Sequence, residues 1–399
     1  SRATERCIGM GKCRAQSGAM CPSYQATQEE KYSTRGRAHL LHEMVRGEVI
    51  KDGWDNKDIA DSFEHCLSCK ACKTECPTQV DIATYKAEFM AAHYAHKRRP
   101  LSHYPLAYIG NLLPKLSRFS SVVNKLQTGI TGQLAQKFLG LSDAKGLPKL
   151  APQSFTGWAR KNANRQDQQF HWFGEQDQPT VVLWADSVNN HYRPTLLQSA
   201  VNVLLKSGHQ VAVAKQHFCC GRPLYEYGFL AQALKQLTLI LDGFYSKLPS
   251  ECSVIVLEPS CLSVFKDELL SAFPDDTRAL DLSERAKTLT QFLSDASITL
   301  AKQLNSGILH LHCHDKSVSI SSHERDWMLR CFKDLQEPES GCCGMAGTYG
   351  LKKQTRAIGQ RLFERRLKPA IDNAANDSVV VANGFSCYEQ IMDGQSCRL

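Results

Sequence analysis

Two different hydrophobic periods divide this chain. Up to about residue 150, apolar positions recur every three or four residues, the spacing of amphipathic helices. Ser33 to Val45 carries Leu40, Leu41, Met44 and Val45 at that spacing, and Asp55 to His65 predicts a second helix. Asp81 is placed to cap a third, with Ile82, Tyr85, Phe89 and Met90 on one face. From Pro100 to Leu150 the helical pattern continues, broken by Pro105, Pro114 and several glycines. Residues 151–178 are polar, with Gln, Asn and Asp around a few aromatics, and read as a linker.

After Pro179 the apolar residues gather into short solid runs of the buried parallel-strand type. Val181 to Trp184 is the first. A helix opens at Pro194, in the N1 position that suits proline, and the strand Gln210 to Val213 follows. Next come a turn at Cys219-Cys220-Gly221, a helix through the 230s, and the strand Val254 to Leu257, leading to Cys261. The order then recurs. Ile308 to Leu311 runs into His312-Cys313-His314. A helix and a strand near Cys331 to Leu335 lead to Gly341-Cys342-Cys343-Gly344. A helix from the 350s and the strand Val379 to Ala382 end near Cys387. Cys219 and Cys342 lie 123 residues apart, and Cys261 and Cys387 lie 126 apart. Two copies of one βαβ-type unit explain this. The expected fold is α plus α/β: an all-helical domain over 1–150, a linker over 151–178, and a duplicated parallel α/β domain over 179–399. Its copies cover about 179–295 and 305–399.

Composition narrows the class. Hydrophobic content of 42% and charged content of 22% are ordinary globular values. No apolar run is long enough for a membrane span, and no signal peptide opens the chain. The net charge of +8 is spread out, without a basic tail interleaved with aromatics, which argues against nucleic-acid binding. Seventeen cysteines in Cys-x2-Cys and Cys-Cys groups point to metal or cluster ligation in a reducing cytosol rather than to disulfides. The expected location is cytoplasmic, with peripheral association at the inner membrane face as a variant. The start Ser1-Arg2-Ala3, without Met, is expected for a piece of a longer polypeptide.

The most specific chemistry lies at Cys66-Leu-Ser-Cys69-Lys-Ala-Cys72-Lys-Thr-Glu-Cys76-Pro77. This is the ligand run of a bacterial-type [4Fe–4S] site, whose fourth cysteine ligates a neighbouring cluster in two-cluster ferredoxins. Zinc sites instead pair two Cys-x2-Cys units across a longer loop. The partner run is Cys7-Ile-Gly-Met10-Gly-Lys-Cys13, with Cys21-Pro22 displaced by an insertion. By the crossing rule Cys21 joins Cys66, Cys69 and Cys72 as a complete set. Cys7, Cys13 and Cys76 form a second set, with Met10 where a thiolate should stand. That second site fits a [3Fe–4S] cluster, a [4Fe–4S] cluster with a non-Cys ligand, or nothing. Met10 is expected as a packed apolar cap, because thioether is a weak donor beside thiolate. Arg35, Arg37 and His42 are either solvated or a source of positive charge beside a cluster.

In the second copy Cys313, Cys342, Cys343 and Cys387 make a four-thiolate set. The first copy has only Cys219, Cys220 and Cys261, and Asp186 stands roughly where Cys313 stands in its twin. His312 and His314 are expected to hydrogen-bond around Cys313 rather than to ligate. Gly221 and Gly344 allow positive φ beside the paired cysteines. Cys252, Cys331 and Cys397 read as ordinary thiols.

At Cys219-Cys220-Gly221-Arg222-Pro223-Leu224 and Gly341-Cys342-Cys343-Gly344-Met345-Ala346-Gly347 the sequence resembles the cysteine-rich CCG domain. That domain is found in the heterodisulfide reductase B subunit, the glycerol-3-phosphate dehydrogenase C subunit and glycolate oxidase iron–sulfur subunits, where it can hold a noncubane [4Fe–4S] cluster. Glu258-Pro-Ser-Cys261 and Gly384-Phe-Ser-Cys387 each keep only the last cysteine of the family's Cys-x2-Cys. Both halves together, with Ser33-Thr34-Arg35-Gly36-Arg37-Ala38 and Asn383-Gly384-Phe385-Ser386-Cys387, resemble the C-terminal half of long bacterial FAD-linked 2-hydroxyacid dehydrogenases of the D-2-hydroxyglutarate and D-lactate types. The resemblance implies a ferredoxin-like helical domain and an iron–sulfur module. The module relays electrons from an FAD/substrate domain of the same polypeptide to an acceptor, a quinone or a protein carrier. It implies that FAD lies outside this stretch and that the stretch alone is not catalytic. The rival readings are a thiol or heterodisulfide reductase subunit, a D-lactate or glycolate oxidase iron–sulfur part, and a zinc-stabilised or metal-free scaffold.

Overall fold

The computed structural model describes residues 4–142, 146–296, 298, 303–317, 321–339 and 341–394. Up to Phe138 every described element is helical. The helix Thr34–Arg46 is capped by Ser33, whose side chain accepts from Gly36 N–H. Lys57–Glu64 is capped by Asn56, and Ile82–His93 by Asp81. Ile59, Phe63, Ile82, Phe89 and Met90 bury their side chains between these helices. Cys13, Cys21, Cys66, Cys69 and Cys72 belong to the same core.

The rest of the chain forms two sheets. The larger has the order β1-β2-β4-β3-β5-β6, from Arg165–Gln166, Phe170–Phe173, Thr180–Trp184, Gln210–Ala214, Ser253–Val256 and Ala286–Lys287. The smaller has the order β8-β7-β9, with β7 Leu304–His310, β8 Phe332–Gln336 and β9 Val379–Ala382. In each, the first strand of a copy lies between the second and the third. β3 pairs in parallel with β4 and β5, and β7 with β8 and β9. The runs read as parallel strands are parallel strands, because helices cover both faces and leave no polar side. Val182, Ala212 and Val254 align across the larger sheet and are fully buried. Trp184 continues that core, edge-on to Phe244 and Phe265 at 5.0 Å between ring centroids in each case.

The expected linker is a correction. Residues 155–173 contain the helix Phe155–Asn162 and the strands β1 and β2, and β2 extends the sheet antiparallel to β4. Aromatic contact holds them there: Trp158 stacks on Phe173 at 5.3 Å and 9°, and on Phe155 at 5.7 Å. A few aromatics anchor an edge strand whose neighbours in sequence are polar, so the average composition misleads.

Strand ends set the chemistry. β3 runs out at Trp184 and Asp186 follows; β7 runs out at His310 and Cys313 follows; β5 ends just before Cys261. Functional groups of parallel α/β units gather at such carboxyl ends.

Candidate iron–sulfur sites

The loop between Cys66 and Cys72 is wound tightly. Ser68 and Lys70 have φ of 51° and 60°, and Cys21 has φ of 53°. Left-handed backbone costs an L-residue about 1–2 kcal/mol, and such strain collects where a site is held in shape. Here it turns the chain back on itself so that successive thiols face inward.

Helix N-termini then aim their unpaired N–H groups at sulfur. Thr34, the first residue of its helix, donates its N–H to Cys21 Sγ at 2.9 Å, and its hydroxyl lies at 2.9 Å from the same atom. Arg35 N–H reaches Cys13 Sγ at 3.4 Å. Ile82 and Ala83 donate to Cys72, and Ala71 to Cys69. Orphan N–H groups and the helix dipole both favour negative charge on the sulfurs. This is the environment an anionic cluster needs, and no residue pattern in the sequence displays it.

Cys21 is the hinge of the arrangement. Its thiol hydrogen-bonds to that of Cys13 and feels the charge of Cys72. The Cys21 contact, against burial, holds Cys13 down at about 6. Burial and the Cys13 contact push Cys21 well above the ordinary thiol value, although the Arg37 guanidinium pulls the other way. Burial drives Cys72 up to about 12, and it raises Cys69 in the same direction. Thiols this buried resist ionising alone, and bound iron would supply the compensating charge. Arg37 is itself fully buried, held by Ser62 O, Tyr32 O and Ser23 Oγ. Arg35 instead turns its side chain outward to Glu30.

Cys7, Cys13 and Cys76 line one small pocket together with Met10 and Met20. The expectation for Met10 is corrected: it is 64% exposed, not packed as a cap. It occupies the rim because Gly9 and Gly11, with φ of 79° and 75°, loop the chain out into solvent.

The second-copy thiols form a chain of contacts. Cys313 hydrogen-bonds to Cys342, Cys342 to Cys343, and Cys343 to Cys387. The Cys342 contact leads the causes that hold Cys313 at about 7. Gly344, with φ of 87°, packs so closely on Gly359 that a Cβ would lie 2.0 Å from the Gly359 carbonyl oxygen. His310 joins this group, a residue that the sequence pattern does not mark. One ring nitrogen of His310 and the sulfurs of Cys343 and Cys387 all lie within 4.8 Å of one another, and all three residues are buried. His310 is the last residue of β7, and no local pattern marks it; only the packing of Cys343 and Cys387 beside it does. His314 accepts from Arg222 Nη2 at 2.8 Å rather than joining that cluster.

In the first copy Cys261 Sγ donates to Cys220 Sγ at 3.2 Å, and Cys220 hydrogen-bonds to Cys219. Asp186 caps the next helix through Asn189 N–H at 2.8 Å, and burial with the nearby Glu258 raises its carboxyl to about 7. Cys252 packs into the core of the larger sheet, and Cys331 lies half-buried against the core on its other face. Cys397 falls outside the described residues.

The sites are neighbours. Cys313 packs in the same core as Cys21, Cys66, Cys69 and Cys72, and its charge is felt at Cys69. Leu67 packs with Cys342. Beneath them Arg222, next after the first-copy Cys219-Cys220-Gly221, donates Nη2 to Ser68 O at 2.8 Å and Nη1 to Glu268. Lys70 reaches Glu268 at 2.7 Å and Asp267 at 2.5 Å. Loops from the helical part and both copies therefore meet around one buried ionic knot.

Comparison with known proteins agrees with this geometry. A 4Fe-4S dicluster domain model matches residues 3–80, and a cysteine-rich domain model matches residues 186–266 and 331–392. Folded this way, with these thiols, the chain is an iron–sulfur protein that joins a dicluster domain to a CCG-type cysteine-rich domain. Within that class it is an electron-transfer module. It is similar to the D-2-hydroxyglutarate dehydrogenase of Pseudomonas putida, 24% identical over 96% of this chain and 41% of that protein. It is also similar to the C subunit of the anaerobic glycerol-3-phosphate dehydrogenase of Escherichia coli, 27% identical over 84% of this chain and 96% of that protein. The glycolate oxidase iron-sulfur subunit of Escherichia coli is 21% identical over 94% of this chain and 87% of that protein. The chain spans about two fifths of the length of the D-2-hydroxyglutarate dehydrogenases it matches. No solved structure shows significant similarity to it. Among the described residues no helix is long and apolar enough to cross a membrane.

The amide and hydroxyl contacts to Cys21 give one prediction. Thr34→Val keeps the shape and removes the hydroxyl. Hydrogen bonds to sulfur stabilise the reduced, more negative cluster. Redox titration followed by EPR should therefore show a more negative midpoint potential at unchanged iron content. An unaltered potential would separate Cys21 from the cluster.

Proposed function

We propose that the chain is the electron relay of an FAD-linked D-2-hydroxyacid dehydrogenase, with D-2-hydroxyglutarate as the favoured substrate of the whole protein. The carrying observation is the shared buried core of Cys13, Cys21, Cys66, Cys69, Cys72 and Cys313, which joins the two cysteine-rich parts. Iron–sulfur clusters accept and release electrons singly, as flavins can. Cys21, Cys66, Cys69 and Cys72 supply the complete thiol set, and Cys7, Cys13 and Cys76 the incomplete one. Arg37 and the N–H groups of Thr34, Ile82 and Ala83 stabilise negative charge at those sulfurs. The first 150 residues act as a ferredoxin-like domain, and FAD and substrate belong to another part of the polypeptide. The outgoing acceptor is a quinone or a protein carrier, and the module works in the cytoplasm.

The second copy holds its metal with Cys313, Cys342, Cys343 and Cys387, and His310 completes the set. His310→Ala should lower the metal retained at this copy after gel filtration and leave the signal of the Cys66–Cys72 site in place. Retention equal to the unmodified chain would make His310 a packing residue. Among the described residues no fourth thiol joins Cys219, Cys220 and Cys261, and Asp186 in that place is a poor match for a soft cluster iron.

Anaerobic purification with iron and acid-labile sulfide counts, followed by low-temperature EPR, tests the reading. Iron with matching sulfide and at least one reducible cluster signal is expected. Zinc alone, or no metal, would replace the relay by a structural scaffold.

A further inference from the structure

Beside the first copy lies an open cavity of about 640 Å³, within the range of small-molecule sites. Its walls come from the helix Phe155–Asn162, the helix Ser187–Tyr192, strand β2 and the segment around Pro114. Its charged lining is all basic: Arg118, Arg160, Lys161 and Lys215, with His171 and His191. Among the described residues no carboxylate is within ion-pair distance of those four cations. The nearby carboxylate is Asp167, which spends its oxygens on Trp172 Nε1 and on the N–H groups of Gln169 and Phe170.

The two histidines point to a ligand. His191 is 3% exposed and His171 is 5% exposed. Neither nitrogen of the His191 ring has a hydrogen-bond partner, and His171 Nδ1 has none. Burying a ring with both nitrogens unpaired is costly, and such groups in native proteins have an explanation. Both rings line a cavity wide enough to admit the missing partner.

We infer that this cavity binds a small, multiply charged anion through carboxylate or phosphate groups, with His191 and His171 meeting its inner end and the cations its outer groups. Arginine forks recognise planar oxyanions, and lysines add point charge. The site is coupled to the first-copy thiols by contact. The His191 ring lies 6.0 Å from that of His217, and His217 Nε2 lies 2.9 Å from the Gly110 carbonyl. Gly110 is pressed so closely on Cys219 that a Cβ there would come 2.3 Å from the sulfur. An anion would thus be separated from the incomplete thiol set by two histidine side chains and the Gly110 backbone.

The test is isothermal titration of the metal-loaded full chain with pyrophosphate and, separately, with citrate at low ionic strength. One-site saturable binding of at least one probe is expected, with Kd below about 1 mM. The two arms decide between phosphate and carboxylate. The surface pair Arg160→Gln/Lys161→Gln should weaken it at least about tenfold, and His191→Gln should weaken it separately. Failure of both probes to saturate by about 10 mM would overturn the inference. So would binding that neither variant alters, or binding that responds to salt and to the surface pair but not to a folded His191→Gln protein. If His191→Gln does not fold, the surface pair alone decides, because its side chains are exposed.

Discussion

Cys69→Ala should abolish reduction of the electron acceptor in the full-length protein while flavin reduction by the hydroxy acid survives. Cys69 is buried with Cys21, Cys66 and Cys72, and the proposal assigns each other thiol of its loop a ligand place of its own. Loss of an outer contact already costs about 10–100-fold in metal affinity, and a ligand is worth more. The purified chain should lose the iron, sulfide and EPR signal of this site. Stopped-flow traces should separate the half-reactions: substrate-driven bleaching of the flavin persists, and its reoxidation through the acceptor falls to background. Equal loss of both half-reactions would remove the relay from the proposal.

Arg222→Met should be strongly destabilising. Arg222 is buried and bonded to Ser68 O, His314 Nε2 and Glu268. Removing one partner of a buried ion pair typically costs about 3–5 kcal/mol, because the other charge stays buried. Lys70 still reaches Glu268 and offsets part of that. Ser68 O and His314 Nε2 lose their shared donor, so the Cys66–Cys72 loop should loosen and release iron faster to a chelator. Urea unfolding measures the first effect and chelator kinetics the second. The double variant Arg222→Met/Glu268→Met should regain much of the stability, since a packed apolar pair substitutes well for a buried ion pair. A loss below about 1 kcal/mol in the single variant would mean that the knot is water-filled and does not couple the loops.

Local pattern made much of this molecule legible. The solid apolar runs became β3, β4, β5, β7 and β9, since a strand buried on both faces has no polar positions to spare. The cap expected at Asp81 holds, because its side chain reaches the third N–H of the helix, and the structure adds the same arrangement at Ser33. β1 and β2 were hidden, because Phe170 to Phe173 is a four-residue aromatic patch in polar surroundings. His310 was hidden for another reason: a lone histidine in an apolar strand says nothing until Cys343 and Cys387 are beside it.

The order of residues alone determined the thiol runs, their spacing, the doubling of the α/β unit and the absence of one thiolate from the upstream run. Those properties live in covalent sequence and in hydrophobic period, and folding does not alter them. Tertiary structure decided which thiols touch. It set Cys21 beside Cys13 and within reach of the charge of Cys72, Cys313 against Cys69, and Arg222 under Ser68. These contacts join segments up to hundreds of residues apart, and their geometry follows from how helices and sheets pack, which no local spacing encodes.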